Sequence, residues 1–147
     1  MKKYLHLVFH MKDLGELKYF LGLKVIKTAE GIFVCQRKYT QDFLKEVGMI
    51  GYKPLQLSLA SNVKLSIDSE ILLKDPNKYR RSIGKFIYLT ITRPDISYSV
   101  QVLSQFMNSA TEDRMKAATH VLKYLKSSPG QGIFFARDSK AHVLCLL

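Results

Sequence analysis

Three pairs of acidic residues could in principle hold metal ions for phosphoryl transfer. That chemistry needs at least two carboxylates holding two metal ions about 4 Å apart, so that the attacking and leaving oxygens are both stabilised. The pairs are Asp13 with Glu16, Asp68 with Glu70, and Glu112 with Asp113. The last pair is predicted to lie in the first turn of a helix, where it opposes the helix dipole, and the other two resemble solvated loop charges. We therefore expect no catalytic residue and no metal site.

Other catalytic and cofactor-binding patterns are missing from the sequence. The four histidines show no HExxH spacing, no serine lies in a GxSxG elbow, and no glycine is followed by the GK[ST] of a phosphate-binding loop. Cys35 and Cys145 lie far apart without a CxxC motif, which favours buried free thiols over a zinc site or a disulfide. We expect no cofactor and no small-molecule substrate.

The charge of the chain is strongly positive. Twenty-three Lys and Arg residues against twelve Asp and Glu give a net charge of +11, while 47% hydrophobic residues are enough for a core. This balance favours a polyanionic partner, either nucleic acid or an acidic membrane surface, and charge alone does not choose between them. No apolar run approaches the roughly 20 residues of a membrane span, and the opening residues are too short and interrupted for a signal peptide. We expect a soluble, intracellular protein, cytoplasmic or nuclear, without membrane contact.

The most one-sided charge lies between residues 78 and 93, which contain five basic residues and no acidic one. They are Lys78, Arg80, Arg81, Lys85 and Arg93. In a helix, Arg80, Gly84 and Tyr88 would share a face roughly opposite Ile83 and Phe86. Such a face could follow a nucleic-acid groove, with a guanidinium for phosphates, a glycine that permits close approach and an aromatic ring for sugar packing. The alternative is a solvated basic helix in which Gly84 allows close helix packing.

A second basic cluster surrounds a predicted hairpin and consists of Lys24, Lys27, Arg37 and Lys38. Lysines commonly protect exposed strand edges, and on composition alone that explanation is favoured. The neighbouring aromatic residues could stack on bases, although in a hairpin they are more often half-buried packing residues.

The elements that would position these residues alternate between strands and helices. Residues 17–28 and 32–36 predict the two strands of a hairpin with a glycine-containing turn. Thr40 is expected to cap a short helix that buries Phe43, Leu44 and Val47 and ends at Gly48. The opening ten residues fit either a strand or a helix, and residues 51–74 show no sustained period, which indicates a long connection.

Three more helices are predicted beyond this connection. Asp75 and Pro76 form a helix start, after which four apolar residues fall on one stripe, and the helix should end before Pro94. These apolar residues are Tyr79, Ile83, Phe86 and Ile87. The next helix is indicated by apolar residues at positions 96, 100, 103 and 107. Residues 109–112 form a capping-box pattern, which predicts the start of the last helix. That last helix should bury Met115, Ala118, Leu122 and Leu125. A further strand is expected near residues 133–135.

Several of these segments together resemble one known family. Residues 11–22 read MKDLGELKYFLG, which is similar to a segment of the reverse transcriptase of copia-type retrotransposon Pol polyproteins. Segments at 31–32, 36–39, 79–88, 92–96, 104–107 and 122–126 match that family in order and approximate spacing. The sequence departs from the family at residues 52–58, where a CKPxxTP stretch is usual, and at the final residues 142–147.

The resemblance implies a division of the chain. Residues 1–50 would be a palm-edge remnant with a primer-gripping hairpin, 51–75 a connecting segment, 76–128 a helical thumb-like region, and 129–147 a truncated connection toward RNase H. The family's polymerase aspartates lie in a YVDD turn upstream, and its RNase H begins downstream. Catalytic magnesium would therefore belong to a motif outside this chain.

We accordingly expect an α+β protein that is a non-catalytic fragment of an RNA-directed DNA polymerase. By resemblance, the thumb helix would place Arg80, Gly84 and Tyr88 against the minor groove of the template–primer. The candidate nucleic-acid-binding residues are Arg80, Arg81, Gly84, Lys85, Tyr88, Lys24, Arg37 and Lys38. The expected partner is an RNA–DNA hybrid or duplex. The alternative is an inert or interaction-only remnant, whose partner could be an intact polymerase subunit.

Overall fold

The computed structural model describes residues 4, 9, 15–49, 51–56 and 71–137 of the chain. Over these residues the protein is α+β, as predicted, with a four-stranded antiparallel sheet and four helices. The strands are β1 (Tyr19–Phe20), β2 (Leu23–Lys27), β3 (Gly31–Cys35) and β4 (Gly132–Ala136). The helices are α1 (Arg37–Glu46), α2 (Pro76–Leu89), α3 (Ser97–Ser104) and α4 (Glu112–Ser127), and a 3₁₀ turn, Pro94–Ile96, precedes α3.

Several predictions concern residues outside this described part. They are the nature of the first ten residues, most of the connecting segment 51–75, the end of the chain beyond residue 137, and the side chains Asp13, Asp68, Glu70 and Cys145. Among the described helices, none is long and apolar enough to cross a membrane.

The sheet differs from the predicted hairpin because residues 17–28 form two strands and not one. Leu21 and Gly22 both have positive φ, at 47° and 77°, which makes a two-residue turn between β1 and β2. Left-handed backbone at both positions matches the twist of a tight hairpin, and glycine adopts it without strain. Strand β4, expected near residues 133–135, pairs with β3 and completes the order β1-β2-β3-β4.

Helix α1 begins four residues earlier than predicted, because its N-cap is Gln36 and not Thr40. Thr40 lies inside the helix, where its hydroxyl donates to the carbonyl oxygen of Gln36 at 3.0 Å, so it is not the N-cap. Gln36 occupies that position without a side-chain cap. The C-terminal prediction is confirmed, because Gly48 has φ +71°, the left-handed conformation that commonly ends a helix.

The predicted start of helix α2 is confirmed. The carboxylate of Asp75 accepts hydrogen bonds from the backbone N–H groups of Asn77 and Lys78, and Pro76 takes the first helical position, where its missing N–H costs nothing. The helix ends at Leu89, ahead of Pro94 as expected. The prediction that Ile87 belongs to the buried stripe is wrong, because its side chain is 47% exposed.

Helix α4 is capped by Thr111 and not by Ser109, the first residue of the predicted capping box. The Thr111 hydroxyl accepts from the backbone N–H of Arg114 at 3.4 Å. Residues Glu112 and Asp113 lie in the first turn, as predicted.

The core lies among the four helices. Phe43 of α1 meets Phe86 of α2 edge to face at 5.4 Å between ring centroids, and Tyr79 donates its hydroxyl to the carbonyl of Leu103 at 2.7 Å. Burial raises the pKa of Tyr79 to about 12, against the opposing charge of Arg114. Other large buried apolar side chains in this core are Leu44, Met49, Ile83, Leu89, Ile96, Val100, Leu103, Val121, Leu122 and Leu125.

The sheet, in contrast, keeps large apolar side chains exposed. They are Tyr19, Phe20, Leu21, Ile26, Ile32, Phe134 and Phe135. Residues directly opposite in neighbouring strands point to the same face, and both faces carry apolar residues: Ile26 pairs with Phe33 on one, and Ile32 with Phe135 on the other. The helical core and the sheet are therefore unequally buried.

Candidate nucleic-acid interface

Helix α2 places Arg80 and Gly84 on its exposed face, opposite the buried Ile83 and Phe86, as the spacing predicts. The Arg80 side chain lies toward the segment after α3, where its Nε donates to the carbonyl oxygen of Met107 at 3.0 Å. That single backbone contact uses one of the five guanidinium donors. The others remain available to a ligand or to solvent, apart from a longer contact of Nη1 with the Asn77 amide oxygen at 3.4 Å.

The surroundings of Gly84 decide between the two explanations for this glycine. A Cβ atom added there would meet no other atom within 4 Å. Close packing of another helix against Gly84 is therefore excluded in the described part of the chain. The open surface at this position permits close approach of an extended ligand to the helix backbone.

Tyr88 differs from the other two members of the predicted face. It is half-buried, its hydroxyl donates to the carbonyl oxygen of Leu21, and its ring meets Tyr39 edge to face with centroids 4.9 Å apart. The ring thus joins α2 to α1 and to the turn between β1 and β2. The sequence predicts that Tyr88 shares a helical face with Arg80 and Gly84. It does not predict that Tyr88 contacts Leu21 and Tyr39.

Arg81 and Lys85 lie beside helix α1, away from Arg80. Lys85 pairs with Glu46 and places its ammonium group 5.0 Å from the centre of the Phe43 ring. Arg81 is well exposed and lies 3.8 Å from the carboxylate of Asp75, a pair that solvent screens strongly. The two basic residues therefore face a different side of α2 from Arg80 and Gly84.

The second basic cluster is divided by the structure between the sheet and α1. Lys24 is half-buried on β2 between Tyr19 and Cys35, while Arg37 and Lys38 are exposed in the first turn of α1. Cations are unfavourable near a helix N-terminus, and this turn contains no acidic residue to offset them. The stability of the helix does not explain their placement, and they add positive potential at this end of α1.

Arg93 does not belong to the basic surface, although it is one of the five basic residues between positions 78 and 93. Its side chain is 1% exposed. Nε and Nη2 donate to the carboxylate of Asp95, and Nη1 donates to the carbonyl oxygen of Ser128 at 2.8 Å. The Tyr124 hydroxyl donates to the same carboxylate at 2.7 Å. The charge of Arg93 is neutralised inside the protein.

A second buried network connects this region to the sheet, and sequence reasoning missed it. The Thr92 hydroxyl donates to the Gln36 amide oxygen at 2.8 Å, and the Gln36 amide nitrogen donates to the carbonyl oxygen of Tyr88 at 3.3 Å. Gln36 thereby joins the end of β3 to the end of α2. Gln36 lies 56 positions before Thr92 and 52 before Tyr88, so no local pattern in the sequence indicates these contacts.

Carboxylates are not grouped for metal binding in the described residues. Among them, no cluster of three or more His, Cys, Asp or Glu side chains could hold a metal ion. Asp113 pairs with Lys116 at 2.7 Å, and Cys35 is a buried free thiol, as predicted. His120 is partly buried, which together with nearby Lys123 lowers its pKa.

Comparison with known proteins found clear relatives. The chain is 43% identical over 131 residues, 89% of its length, to the retrovirus-related Pol polyprotein from transposon RE1 of Arabidopsis thaliana. It is 40% identical over 131 residues to the corresponding polyprotein from transposon RE2 of the same plant. An uncharacterized mitochondrial protein of Arabidopsis thaliana is 36% identical over 135 residues.

The matched segment is a small part of the polyproteins. It spans 9% of each Pol polyprotein and 56% of the mitochondrial protein. No protein-family model matches the chain, and no solved structure is significantly similar to it.

Proposed function

Because the chain is homologous over most of its length to a segment of copia-type retrotransposon Pol polyproteins, we propose that it is a nucleic-acid-binding, non-catalytic part of an RNA-directed DNA polymerase. In this proposal the hairpin and α1 correspond to the palm edge, and α2 to α4 to the thumb and connection. The ligand is the template–primer, an RNA–DNA hybrid or a duplex.

The observation that carries the proposal is the separation of basic residues into buried and exposed sets. The chain has a net charge of +11. Between residues 78 and 93, Arg93 is the one fully buried basic residue, and it is neutralised by Asp95. Arg80 stays exposed beside the open surface at Gly84, and Arg81 is exposed on the side of α2 that faces α1. A positive helix face with room for a close backbone approach is suited to a sugar–phosphate chain.

A salt titration tests the proposal. The 147-residue chain should bind a labelled RNA–DNA hybrid with a Kd that weakens steeply between about 50 and 200 mM salt, because each neutralised phosphate releases counterions. Fluorescence anisotropy measures this directly. Binding that is absent, or whose Kd does not change with salt, would refute a phosphate-binding role.

The non-catalytic part of the proposal has its own assay. With a primed template, nucleotides and magnesium or manganese, the chain should add no nucleotide to the primer, because two-metal catalysis needs carboxylates on a common pair of ions. Incorporation that is lost on changing Asp68 or Glu70 to Ala would assign catalysis to this chain and overturn that part.

The exposed sheet favours a second candidate function, association with another protein. Monomeric proteins rarely leave large contiguous apolar patches in water, and here both sheet faces carry exposed residues such as Ile26 and Phe135. Apolar association is much less sensitive to salt than phosphate binding. Self-association or capture of a polymerase subunit that persists at high salt, without hybrid binding, would favour this alternative.

A further inference from the structure

A groove with a volume of about 260 Å³ separates helices α1 and α2. Its polar lining is mostly basic, with Lys78, Arg81 and Lys85 from α2 and a single carboxylate, Glu46, from α1. Phe43 and Val47 line it with apolar surface. Three cations and one carboxylate leave the groove with a net charge of two positive units.

The three cations form one stripe along α2. Lys78, Arg81 and Lys85 are separated by three and then four residues, the spacing that aligns side chains on one helix face. This stripe is distinct from the face that carries Arg80 and Gly84. Like charges at these spacings destabilise a helix, and within α2 itself no acidic residue of the first turn offsets them, although the N-cap Asp75 lies 3.8 Å from Arg81. Helix stability therefore does not account for the stripe.

Glu46 holds one of these cations. Its carboxylate pairs with Lys85, whose side chain is 27% exposed and covers the Phe43 ring. Lys78 and Arg81 lie nearer the start of α2, and Arg81 has only the exposed Asp75 as an ion-pair partner among the described residues. Lys78 and Arg81 are thus the exposed cations of the groove, and Lys85 is less exposed and paired with Glu46.

We propose that this groove binds the phosphodiester backbone of a nucleic acid, with Lys78 and Arg81 as phosphate contacts and Glu46 as a competing anion that a phosphate displaces from Lys85. The proposal rests on the nucleic-acid-binding function above and assigns a specific surface to it. The volume would hold roughly eight water molecules, enough for a phosphate group and its adjoining sugar. The apolar lining strengthens the attraction because it lowers the local dielectric constant.

The replacement Glu46→Gln gives the sharper test because it predicts a gain of binding. Removal of the carboxylate raises the net charge of the groove by one unit and releases Lys85. Affinity for a labelled RNA–DNA hybrid should increase roughly fivefold at about 0.1 M salt, with a steeper salt dependence. A thermal melt should show no gain of stability, since an ion pair is lost. Unchanged or weaker binding by this variant would overturn the role of Glu46.

The double replacement Lys78→Gln and Arg81→Gln tests the phosphate contacts. Each cation removed should weaken hybrid binding by roughly fivefold to tenfold at about 0.1 M salt and reduce the slope of log K against log salt by about 0.9. Lys116→Gln is the matched control, because it removes one exposed positive charge from α4, outside this groove. The control should bind as the unchanged protein does, and its thermal melt shows the effect of losing one exposed cation together with its ion pair to Asp113.

The outcomes separate this proposal from the broader one. If the unchanged protein binds the hybrid and the double variant binds equally well, the groove is not the site while nucleic-acid binding stands. If the unchanged protein shows no salt-dependent binding, the function itself fails. If the unchanged protein binds poly-glutamate as tightly as the hybrid, and the double variant loses both equally, the groove is a site for acidic peptides and the phosphodiester assignment is overturned.

Discussion

Arg93 and Asp95 form a two-pronged ion pair across a single proline, with Nε at 2.9 Å from Oδ1 and Nη2 at 2.7 Å from Oδ2. Burial opposes ionisation of Asp95, but the hydrogen bonds from Arg93 and Tyr124 outweigh it and hold the pKa of this carboxyl below its ordinary value of 3.8. The pair anchors the segment between α2 and α3 to the end of α4, where Arg93 also binds Ser128.

We expect Asp95→Asn to lower the free energy of unfolding by about 2 kcal/mol at neutral pH, because it leaves the buried guanidinium without its anion. A depressed carboxyl pKa contributes stability above the unfolded-state pKa and loses it as pH falls through the folded value. The difference between variant and unchanged protein should therefore shrink below about pH 4. Urea unfolding at several pH values measures it. A difference that is constant down to pH 2 would contradict the ionic role.

Gly84→Ala should stabilise the protein while weakening its binding to nucleic acid. Alanine is favoured over glycine inside a helix by up to ~1 kcal/mol, and a Cβ at this position meets no atom within 4 Å. The same methyl group should hold a sugar–phosphate chain away from the helix. Thermal melts and hybrid titrations measure the two effects, with Gln101→Ala as an exposed helical control on α3. Higher stability with unchanged binding would exclude close approach at Gly84.

Arg80→Ala should weaken hybrid binding by about 1–2 kcal/mol and flatten the salt dependence by roughly one phosphate contact. Arg80→Lys keeps the charge but loses the planar donors, so it should retain the salt slope with a smaller loss of affinity. Anisotropy titrations at several salt concentrations distinguish the two variants. Equal affinities for Arg80→Ala and the unchanged protein would remove this residue from the interface.

Gly132→Ala should detach β4 from the sheet. A Cβ at this position would collide with the carbonyl oxygen of Val34 on the neighbouring strand, and backbone cannot move aside as a flexible side chain can. We expect a loss of about 1–3 kcal/mol in the free energy of unfolding. Gly51→Ala is the control, because its added Cβ meets nothing within 4 Å. Similar melting temperatures for both variants would contradict the close pairing of β3 and β4.

Amide hydrogen exchange should be slower in the helices than in the sheet. Residues such as Tyr79, Ile83 and Phe86 of α2 are fully buried, whereas the side chains of Tyr19 and Phe20 in β1 are more than half exposed. Local opening is easier where few apolar contacts must be broken. Exchange followed by mass spectrometry should show more protection for residues 76–128 than for the strands β1 to β3. Equal protection in the two segments would mean that the sheet is stabilised by contacts comparable to the core.

The sequence by itself determined those features whose causes lie within a few residues. Asp75 with Pro76 begins a helix, Gly48 ends one, and the apolar spacing of α2 buries Tyr79, Ile83 and Phe86, because capping and helical periodicity are local properties. The α+β class and the resemblance to retrotransposon Pol polyproteins were also evident from the residues alone. Local patterns gave a wrong prediction at residues 17–28. The β-prone residues on both sides of Leu21 and Gly22 indicate one continuous strand, whereas these two residues form a turn between β1 and β2.

Only the tertiary structure decided which basic residues are available to a ligand. Arg80 and Arg93 are both arginines of the basic stretch between residues 78 and 93. Arg93 is buried against Asp95 and Ser128, whereas Arg80 remains exposed. Tyr88 is held by Leu21 and Tyr39, and Lys85 by Glu46, all distant along the chain. Charge and helical spacing specify what a side chain can bind, but its partners depend on elements that meet only after folding.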